Sequence, residues 1–190
     1  MTEFKYYDEA NPPEASKPPL SGSMERLGFV SNLHAVMADS PELLEVYQVV
    51  GELFQQSSFD KDELTVIWQT INVEHNCTYC VPGHAAVAKM IKVDDEITNA
   101  LRDETSLPTE RLEALRSFTL KMLRGHGNVA NADVETFLAA GFAKQQIFEV
   151  ILGRAHKMMS NYTNHIANTP IDPMAVPLAW TKASDAELAA

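Results

Sequence analysis

Residues 74–84 decide how the fold of this chain is interpreted, and they read Glu74-His75-Asn76-Cys77-Thr78-Tyr79-Cys80-Val81-Pro82-Gly83-His84. They hold both cysteines of the chain, and a histidine follows four residues after the second cysteine. On a helix, residues 77, 80 and 84 share one face, because their spacings are close to one turn. A thiol beside a second thiol and one turn from an imidazole indicates reversible two-electron redox chemistry.

Redox chemistry requires that one thiol ionise, and the local sequence favours this. Asn76 is a predicted N-cap, which places Cys77 in the first helical turn and Cys80 at the end of that turn. We expect the helix start and a protonated His84 together to lower a thiol pKa by about two units from about 8.5. Pro82 lacks the amide hydrogen that would pair with the preceding turn, so the helix is expected to kink or to begin irregularly.

Two other interpretations of the cysteine pair stand beside the redox one. The first is two buried small residues near an incidental histidine. The second is a zinc site, because His75, Cys77, Cys80 and His84 offer suitable ligand types. One short helical segment can hardly wrap four tetrahedral ligands, however, and the chain has no second Cys-x-x-Cys motif. We therefore favour the redox interpretation, without the strand-rich context of a thioredoxin-like fold.

The composition is that of one globular domain with an acidic surface. The chain has 190 residues, of which 26 are acidic and 15 basic, giving a net charge of −11. This balance argues against binding to nucleic acid or to an anionic membrane, since phosphate recognition needs clustered Lys and Arg. The sequence contains no apolar run long enough to span a membrane, and its first residues lack the pattern of a signal peptide. We expect a cytoplasmic location, where a lone cysteine pair is more often catalytic or metal-binding than structural.

The periodicity of apolar residues predicts an all-α domain of about seven or eight helices. Residues 1–22 contain four prolines among polar residues and are predicted to form an extended N-terminal arm. Helical patterning then covers residues 23–170, with a start signal at Ser40-Pro41-Glu42 and no hairpin signal. Residues 171–190 form a predicted C-terminal tail. On the last long helix, Glu149, His156, Ser160 and Asn164 fall near one face, which we interpret as solvated.

The Cys-x-x-Cys-x-x-x-His core, preceded by a helix with an acidic residue near its start, resembles the carboxymuconolactone decarboxylase family. Its alkylhydroperoxidase D-like (AhpD-like) branch is the closer match. The resemblance is strongest over residues 58–92 and looser over residues 40–168. The segment Ser160-Asn161-Tyr162-Thr163-Asn164-His165 is also similar to a segment of peroxidase-related members.

This resemblance implies an all-helical homo-oligomer, often a trimer or a multiple of one, that acts as an antioxidant peroxidase. By it, the thiolate of Cys80 attacks the O–O bond of hydrogen peroxide or an organic hydroperoxide and becomes a sulfenic acid. Cys77 then resolves the sulfenic acid into a Cys77–Cys80 disulfide. The resemblance implies no bound metal or organic cofactor, but it does imply an external dithiol or other reductant, a part that a lipoyl-bearing protein can play in the family.

The resemblance also implies a proton relay between His84 and a glutamate, and here the chain departs from the pattern. The family glutamate lies twelve residues before the first cysteine, a position occupied here by Thr65. Glu63 lies two residues earlier, whereas Glu74 lies three residues before Cys77. Both are candidates for the relay. Glu63 is otherwise a first-turn helix acid, and Glu74 is otherwise a solvated loop residue.

Functions of other classes remain open from the sequence. Lactone decarboxylation gives the family its name, but members with that activity generally do not rely on the cysteine pair. A helical module that senses redox state or binds zinc through the pair is the non-enzymatic alternative. The interpretation we favour is a thiol-dependent peroxidase of the AhpD-like type.

Overall fold

The computed structural model describes residues 3–182, and within them the regular structure is helical. Its nine α-helices are α1 (Lys17–Leu27), α2 (Asn32–Met37), α3 (Pro41–Gln55), α4 (Lys61–Glu74), α5 (Cys80–Met90), α6 (Asp95–Arg102), α7 (Glu110–Arg124), α8 (Asn131–Ala139) and α9 (Lys144–Ala167). Two short 3₁₀ helices, Glu14–Ser16 and Pro173–Leu178, flank them. The all-α prediction is confirmed, with one or two more helices than expected.

Helix α4 is the centre of the molecule, packing against α5, α6, α7 and α9. The side chains of residues 63–73 are buried without a break, as expected for a helix surrounded on all sides. Its start is fixed by a capping box in which the Asp60 carboxylate accepts from the backbone of Glu63, and Glu63 accepts from the backbone of Asp60. Its position determines where the residues that follow its C-terminus are placed.

The end of α4 turns the chain directly into the cysteine motif. Asn76 adopts a left-handed conformation with φ of 52°, and the amide of Cys77 donates to the carbonyl oxygen of Asn72 at 3.0 Å. This is the arrangement of a Schellman C-cap, in which asparagine can replace the usual glycine. The chain then reverses, and α5 begins at Cys80 and packs against α4.

Two apolar clusters flank α9. The larger cluster joins α4 to α6, α7 and α8 and includes Phe54, Trp68, Leu115 and Phe137. The smaller cluster contains Leu33, Met37, Leu44, Tyr47 and Tyr79, together with both cysteines. Helix α9 contacts α2, α3, α4 and α5, so one face of α9 closes the space above the cysteine motif.

The N-terminal segment lacks helix for only part of the predicted arm. Residues 3–13 are not helical and bend at residues 9–11, and the amide of Tyr7 donates to the carbonyl oxygen of Ala35 at 3.1 Å. Residues 14–22 are helical instead, so the prediction of an extended arm is wrong for them. Pro18 and Pro19 lie in the first turn of α1, where amide hydrogens need no helical partner and proline is tolerated. The buried side chain of Leu20 anchors this helix in the smaller cluster.

The C-terminal segment also packs against the helical body. The 3₁₀ helix Pro173–Leu178 contacts α5. The Asp172 carboxylate accepts hydrogen bonds from the Tyr79 hydroxyl at 2.5 Å and from the backbone amide of Asn32 at 2.8 Å. The remainder of the predicted tail, residues 183–190, lies outside the described residues. Within residues 3–182, no helix combines the length and apolarity needed to cross a bilayer.

Candidate active site

The two cysteines lie together at the N-terminus of α5, both free and buried. The backbone amide of Cys80 donates to the sulfur of Cys77 at 3.3 Å. Cys80 is the first residue of α5, whereas Cys77 precedes the helix, which begins three residues later than predicted. The positive end of the helix dipole therefore favours an anion at Cys80. Pro82 falls within the first turn of α5, so the helix begins there without a kink.

Polar side chains from α9 surround the Cys80 sulfur. The Asn164 amide donates to this sulfur at 3.2 Å, and Asn161 is hydrogen-bonded to it as well. Burial opposes the thiolate, but a hydrogen bond from Cys77, the charge of Lys157 and the two asparagine amides outweigh it. The pKa of Cys80 is lowered to about 6 as a result.

The pKa of Cys77 is shifted in the opposite direction. Its thiol donates a hydrogen bond to Cys80, and this bond, burial and the negative charge of the neighbouring thiolate all raise its pKa. The two thiols thus have separate chemical states at neutral pH. Cys80 is the thiolate and Cys77 is the protonated thiol, a division of roles suited to a nucleophile and a resolving group.

The cation of the site is Lys157, which the sequence analysis did not single out. Its side chain on α9 is fully buried, and its Nζ lies 2.6 Å from Nε2 of His84. No carboxylate of residues 3–182 forms an ion pair with it. A buried ammonium group is stabilised by a nearby negative charge, and here the charges of Lys157 and the Cys80 thiolate favour each other.

His84 is neutral, in contrast to the protonated state expected from the sequence. Burial and then the adjacent Lys157 charge lower the pKa of His84 well below its usual value. Its Nε2 therefore accepts a hydrogen bond from the Lys157 ammonium group. The charge of Lys157, which contacts His84, helps to lower the pKa of Cys80, so Lys157 supplies the positive charge that was assigned to the imidazole.

The two candidate glutamates are held away from this cluster. The buried Glu63 carboxylate forms an ion pair with Arg111 at 2.8 Å and completes the cap of α4. Glu74 accepts two hydrogen bonds from Arg124, at 2.7 and 2.8 Å. Both carboxylates have structural partners, and neither forms a hydrogen bond with Cys77, Cys80 or His84 among those found in residues 3–182.

The polar residues that share one face of α9, which are Glu149, His156, Ser160 and Asn164, are mostly buried. The interpretation of a solvated face is therefore wrong. His156, Ser160 and Asn164 are each less than a tenth exposed, and only Glu149 reaches the surface, where it binds Ser58. A chain of amides continues from Asn161 through Asn72 to Gln69 and the Val81 carbonyl oxygen. These bonds satisfy buried polar groups and fix α9 relative to α4 and α5.

The geometry also bears on the zinc-binding alternative. Nδ1 of His75 lies 2.8 Å from the side-chain oxygen of Asn161, and Nε2 of His84 is occupied by Lys157. Within residues 3–182, no three His, Cys, Asp or Glu side chains come together as metal ligands. The histidines thus have hydrogen-bond partners in place of a metal.

An apolar groove borders the smaller apolar cluster, which contains the cysteines. It has a volume of about 470 Å³ and runs between the N-terminal segment, α2, α3 and α9. Met37, Leu43 and Met159 line it and also pack in the smaller apolar cluster, which contains both cysteines. Phe4 and Tyr162 form part of its outer wall. An organic molecule with an apolar body therefore fits this groove, against the cluster that contains the cysteines.

Known proteins resemble this chain in structure. No family model and no curated protein matches the sequence. Among solved structures, a peroxidase-related protein from Ralstonia eutropha, described as an alkylhydroperoxidase AhpD core, superimposes with a TM-score of 0.80 at 18% identity. The match covers 92% of this chain and 96% of that chain. The fold is AhpD-like.

Two further AhpD-like matches agree with this assignment. A peroxidase-related protein from Silicibacter sp. matches with a TM-score of 0.74 and 22% identity, over 90% of this chain and 94% of the other. The debrominase Bmp8 in complex with 2,3,4-tribromopyrrole matches with a TM-score of 0.76 and 15% identity, over 92% and 94%. At these identities the similarity establishes the fold, which the sequence resemblance had implied.

Proposed function

We propose that this protein is a thiol-dependent peroxidase that reduces hydrogen peroxide or organic hydroperoxides by cycling Cys77 and Cys80 between dithiol and disulfide. The observation that carries the proposal is the stabilised Cys80 thiolate, which receives a hydrogen bond from Asn164 at 3.2 Å and lies beside the protonated Cys77. The peroxidase-related AhpD-like structures support it.

In the proposed reaction the Cys80 thiolate attacks one oxygen of the peroxide and the O–O bond breaks. Cys80 becomes a sulfenic acid, and the other oxygen leaves as an alcohol or water. Cys77 attacks the sulfenic sulfur and expels water, forming the disulfide. An external dithiol, for which a lipoyl-bearing protein is one candidate, reduces the disulfide in two exchange steps.

The apolar groove supports organic hydroperoxides as the preferred class. Hydrogen peroxide gains nothing from the methionine-lined wall, whereas an alkyl or aryl group buries apolar area there at about 25 cal/mol per Å². Methionine side chains also adapt to different ligand shapes. We therefore propose that KM is lower for cumene hydroperoxide than for hydrogen peroxide.

Two single-cysteine variants test the proposed roles. Cys80→Ser is expected to abolish peroxide consumption, because the nucleophile is lost. Cys77→Ser is expected to consume one equivalent and then stall, because the sulfenic acid has no resolving partner. Peroxide consumption by each variant is measured against protein concentration, and turnover by both at the wild-type rate would contradict the proposal.

Reductive debromination is a second candidate, favoured by the structural similarity to the debrominase Bmp8. The apolar groove is compatible with a halogenated aromatic ring, and the cysteine pair supplies the two electrons that replacement of bromine by hydrogen requires. The two candidates separate by product. Stoichiometric bromide release from a bromopyrrole, with no consumption of hydroperoxides, would favour debromination.

We further propose that the protein assembles as a homo-oligomer. Helix α3 exposes Val46, Val49 and Leu53, each about half exposed, along one side. Helix α9 exposes Phe148 at 70% and Ile151 at 49%. Apolar surface of this kind on structured helices is typical of a face that another subunit covers.

A further inference from the structure

We propose that Lys157 is the proton donor of the peroxide-reducing step, protonating the oxygen that leaves when Cys80 attacks, with His84 as the residue that positions it. This inference rests on the proposed function and extends it. The sequence resemblance implied a histidine–glutamate relay for proton transfer, and the structure places a lysine–histidine pair beside the thiols instead.

The first support is the isolation of Lys157 from carboxylates. Its side chain has no exposed area, its Nζ lies 2.6 Å from Nε2 of His84, and no carboxylate of residues 3–182 pairs with it. A lysine placed to bind α9 to its neighbours would be expected to carry such a partner. Here the ammonium group contacts an imidazole and its charge acts on the Cys80 thiolate, and both of these groups exchange protons.

The second support is the register of α5 against α9. Cys80 is bound by Asn164, while His84, four residues later on α5, meets Lys157, seven residues earlier on α9. The two helices therefore run antiparallel here, and one face of α9 contacts both Cys80 and His84. Four residues rise about 6 Å along a helix. A peroxide oxygen that approaches the Cys80 sulfur to about 3–3.5 Å and accepts one hydrogen bond of about 2.6–3.2 Å spans a similar total distance.

The groups that face Lys157 leave the proton on the lysine in the resting state. They come from α2, α4, α5, α9 and the turn before α5, and they are His34, Trp68, Cys77, Cys80, His84 and the neighbouring His156. Tyr47 on α3 stacks on His156. The pKa of His34 is lowered to about 4, and burial also lowers those of His84 and His156. The three imidazoles are thus neutral, and burial raises the pKa of Tyr47.

The loss of the Cys80 thiolate charge explains why Lys157 releases its proton when Cys80 is oxidised. Burial lowers the pKa of Lys157, whereas the negative charge of the Cys80 thiolate raises it. When Cys80 is oxidised, its negative charge passes to the leaving oxygen. The ammonium group then has no anion beside it except that oxygen, so proton transfer to the oxygen neutralises both groups in the buried site.

The step balances in atoms and charge. The Cys80 thiolate, the hydroperoxide and the Lys157 ammonium group give the Cys80 sulfenic acid, the alcohol and the neutral Lys157 amine. The Cys77 thiol and the sulfenic acid then give the disulfide and water, with no net proton change. When an external dithiol reduces the disulfide, the new Cys80 thiol returns a proton to the Lys157 amine and restores the ion pair.

The experiment compares two peroxides whose leaving groups differ in their need for a proton. tert-Butyl hydroperoxide expels an alkoxide, which is strongly basic, whereas peracetic acid expels acetate, which leaves without one. Lys157→Met keeps the length and apolar stem of the side chain but removes the proton. Both reactions are followed as the loss of two free thiols in a single turnover, at a pH where thiolate absorbance shows Cys80 ionised in both proteins.

The proposal predicts that Lys157→Met slows the reaction with tert-butyl hydroperoxide by about 10²–10⁴-fold, the usual contribution of general acid catalysis, while peracetic acid reacts close to the wild-type rate. Equal loss with both peroxides, or no loss with either, would overturn it. Wild-type protein that reacts with neither peroxide would instead contradict the proposed function.

A measurement on unaltered protein covers the case in which Lys157→Met does not fold. A series of alkyl hydroperoxides with increasingly acidic leaving alcohols is reacted with the wild type. Proton donation in the transition state predicts a weak dependence of rate on the acidity of the alcohol. A steep dependence, equal to that of a small-molecule thiolate, would show that no donor acts in the step.

Discussion

At the scale of single residues, the molecule separates the chemical states of two adjacent thiols. Burial alone would raise both pKa values, so the distinction depends on the direction of the hydrogen bonds. Cys80 accepts from Cys77, Asn161 and Asn164, while Cys77 donates its only proton to Cys80. Lys157 adds a positive charge near Cys80. The nucleophile is therefore selected by its surroundings, because the two side chains are chemically identical.

This arrangement predicts the pH dependence of Cys80 reactivity. Because the pKa of Cys80 is lowered to about 6, the thiolate is present above that pH and is lost as the pH falls through it. The rate of Cys80 alkylation by iodoacetamide, located by peptide mass spectrometry, is expected to rise with a midpoint near pH 6. A midpoint near the free-thiol value of about 8.5 would contradict the account.

Asn164→Ala tests whether the Asn164 amide contributes to the lowered pKa of Cys80. It removes the amide that donates to the Cys80 sulfur at 3.2 Å, so the midpoint is expected to move upward by about one unit, equivalent to about 1.4 kcal/mol. Asn131→Ala, at an exposed position on α8, is expected to leave the midpoint unchanged. Equal midpoints for the two variants would remove Asn164 from the explanation.

The candidate glutamates give a second prediction at this scale. Glu63→Gln weakens both the α4 cap and the ion pair with Arg111, so we expect a loss of about 1–2 kcal/mol in the free energy of unfolding, measured with urea. The single-turnover rate with hydroperoxide is expected to stay near that of the wild type, and the same holds for Glu74→Gln. A large loss of rate with normal stability would return that glutamate to the proton relay.

The sequence contains the cysteines and His84 in a recognisable spacing, but it gives Lys157 no such signal. A lysine in a predicted amphipathic helix is normally solvated. Its burial depends on α3, α4 and α5 all closing over one turn of α9, a tertiary arrangement that no local pattern encodes. One clue was the neighbouring stripe of His156, Ser160 and Asn164, whose polar residues line an otherwise apolar helix.

At the scale of elements, the position of α9 over the cysteines depends on its close contact with α3 and α4. Gly153 on α9 lies against α3 and α4, where an added Cβ would be 2.7 Å from the Phe54 ring and 2.9 Å from Ile67. Gly51 on α3 leaves a similar space for the ring of His156, at 2.7 Å. Both glycines thus serve packing, and the turn of α9 that follows Gly153 carries Lys157.

Gly153→Ala is therefore expected to destabilise the protein by about 1–3 kcal/mol, the usual cost of overpacking a core. Gly83→Ala on α5 is the control, because its Cβ would meet no atom within 4 Å and alanine favours a helix. Urea denaturation of the two variants measures the difference. Equal stability of both would show that the close approach of α9 is not required.

The elements themselves were predictable where local signals were complete. The start signal at Ser40-Pro41-Glu42 does begin α3, and the capped start of α4 and the end of α7 before Gly125 follow equally standard rules. The extended arm was predicted from the number of prolines in residues 1–22, but the position of each proline determines whether a helix can form. Two of them lie in the first turn of a helix, and the burial of Ser16, Leu20 and Ser23 depends on contacts distant in sequence.

At the scale of the whole molecule, the exposed apolar stripes of α3 and α9 predict self-association. Phe148→Glu places a charge on the most exposed apolar residue of the first half of α9 and is expected to shift the protein toward the monomer, measured by analytical ultracentrifugation. Thr136→Glu, at an exposed position on α8, adds the same charge as the control and is expected to leave the assembly unchanged. A wild-type monomer would contradict the prediction.

The central claim concerns the chemistry of one pair of thiols, and one measurement addresses it most directly. Free thiols of the reduced protein are counted before and after one equivalent of cumene hydroperoxide, together with the intact mass. The account predicts the loss of both thiols and a mass decrease of about two hydrogen atoms, as Cys77 and Cys80 form a disulfide. Two unchanged thiols after several minutes would show that Cys80 does not react as a peroxidatic thiolate.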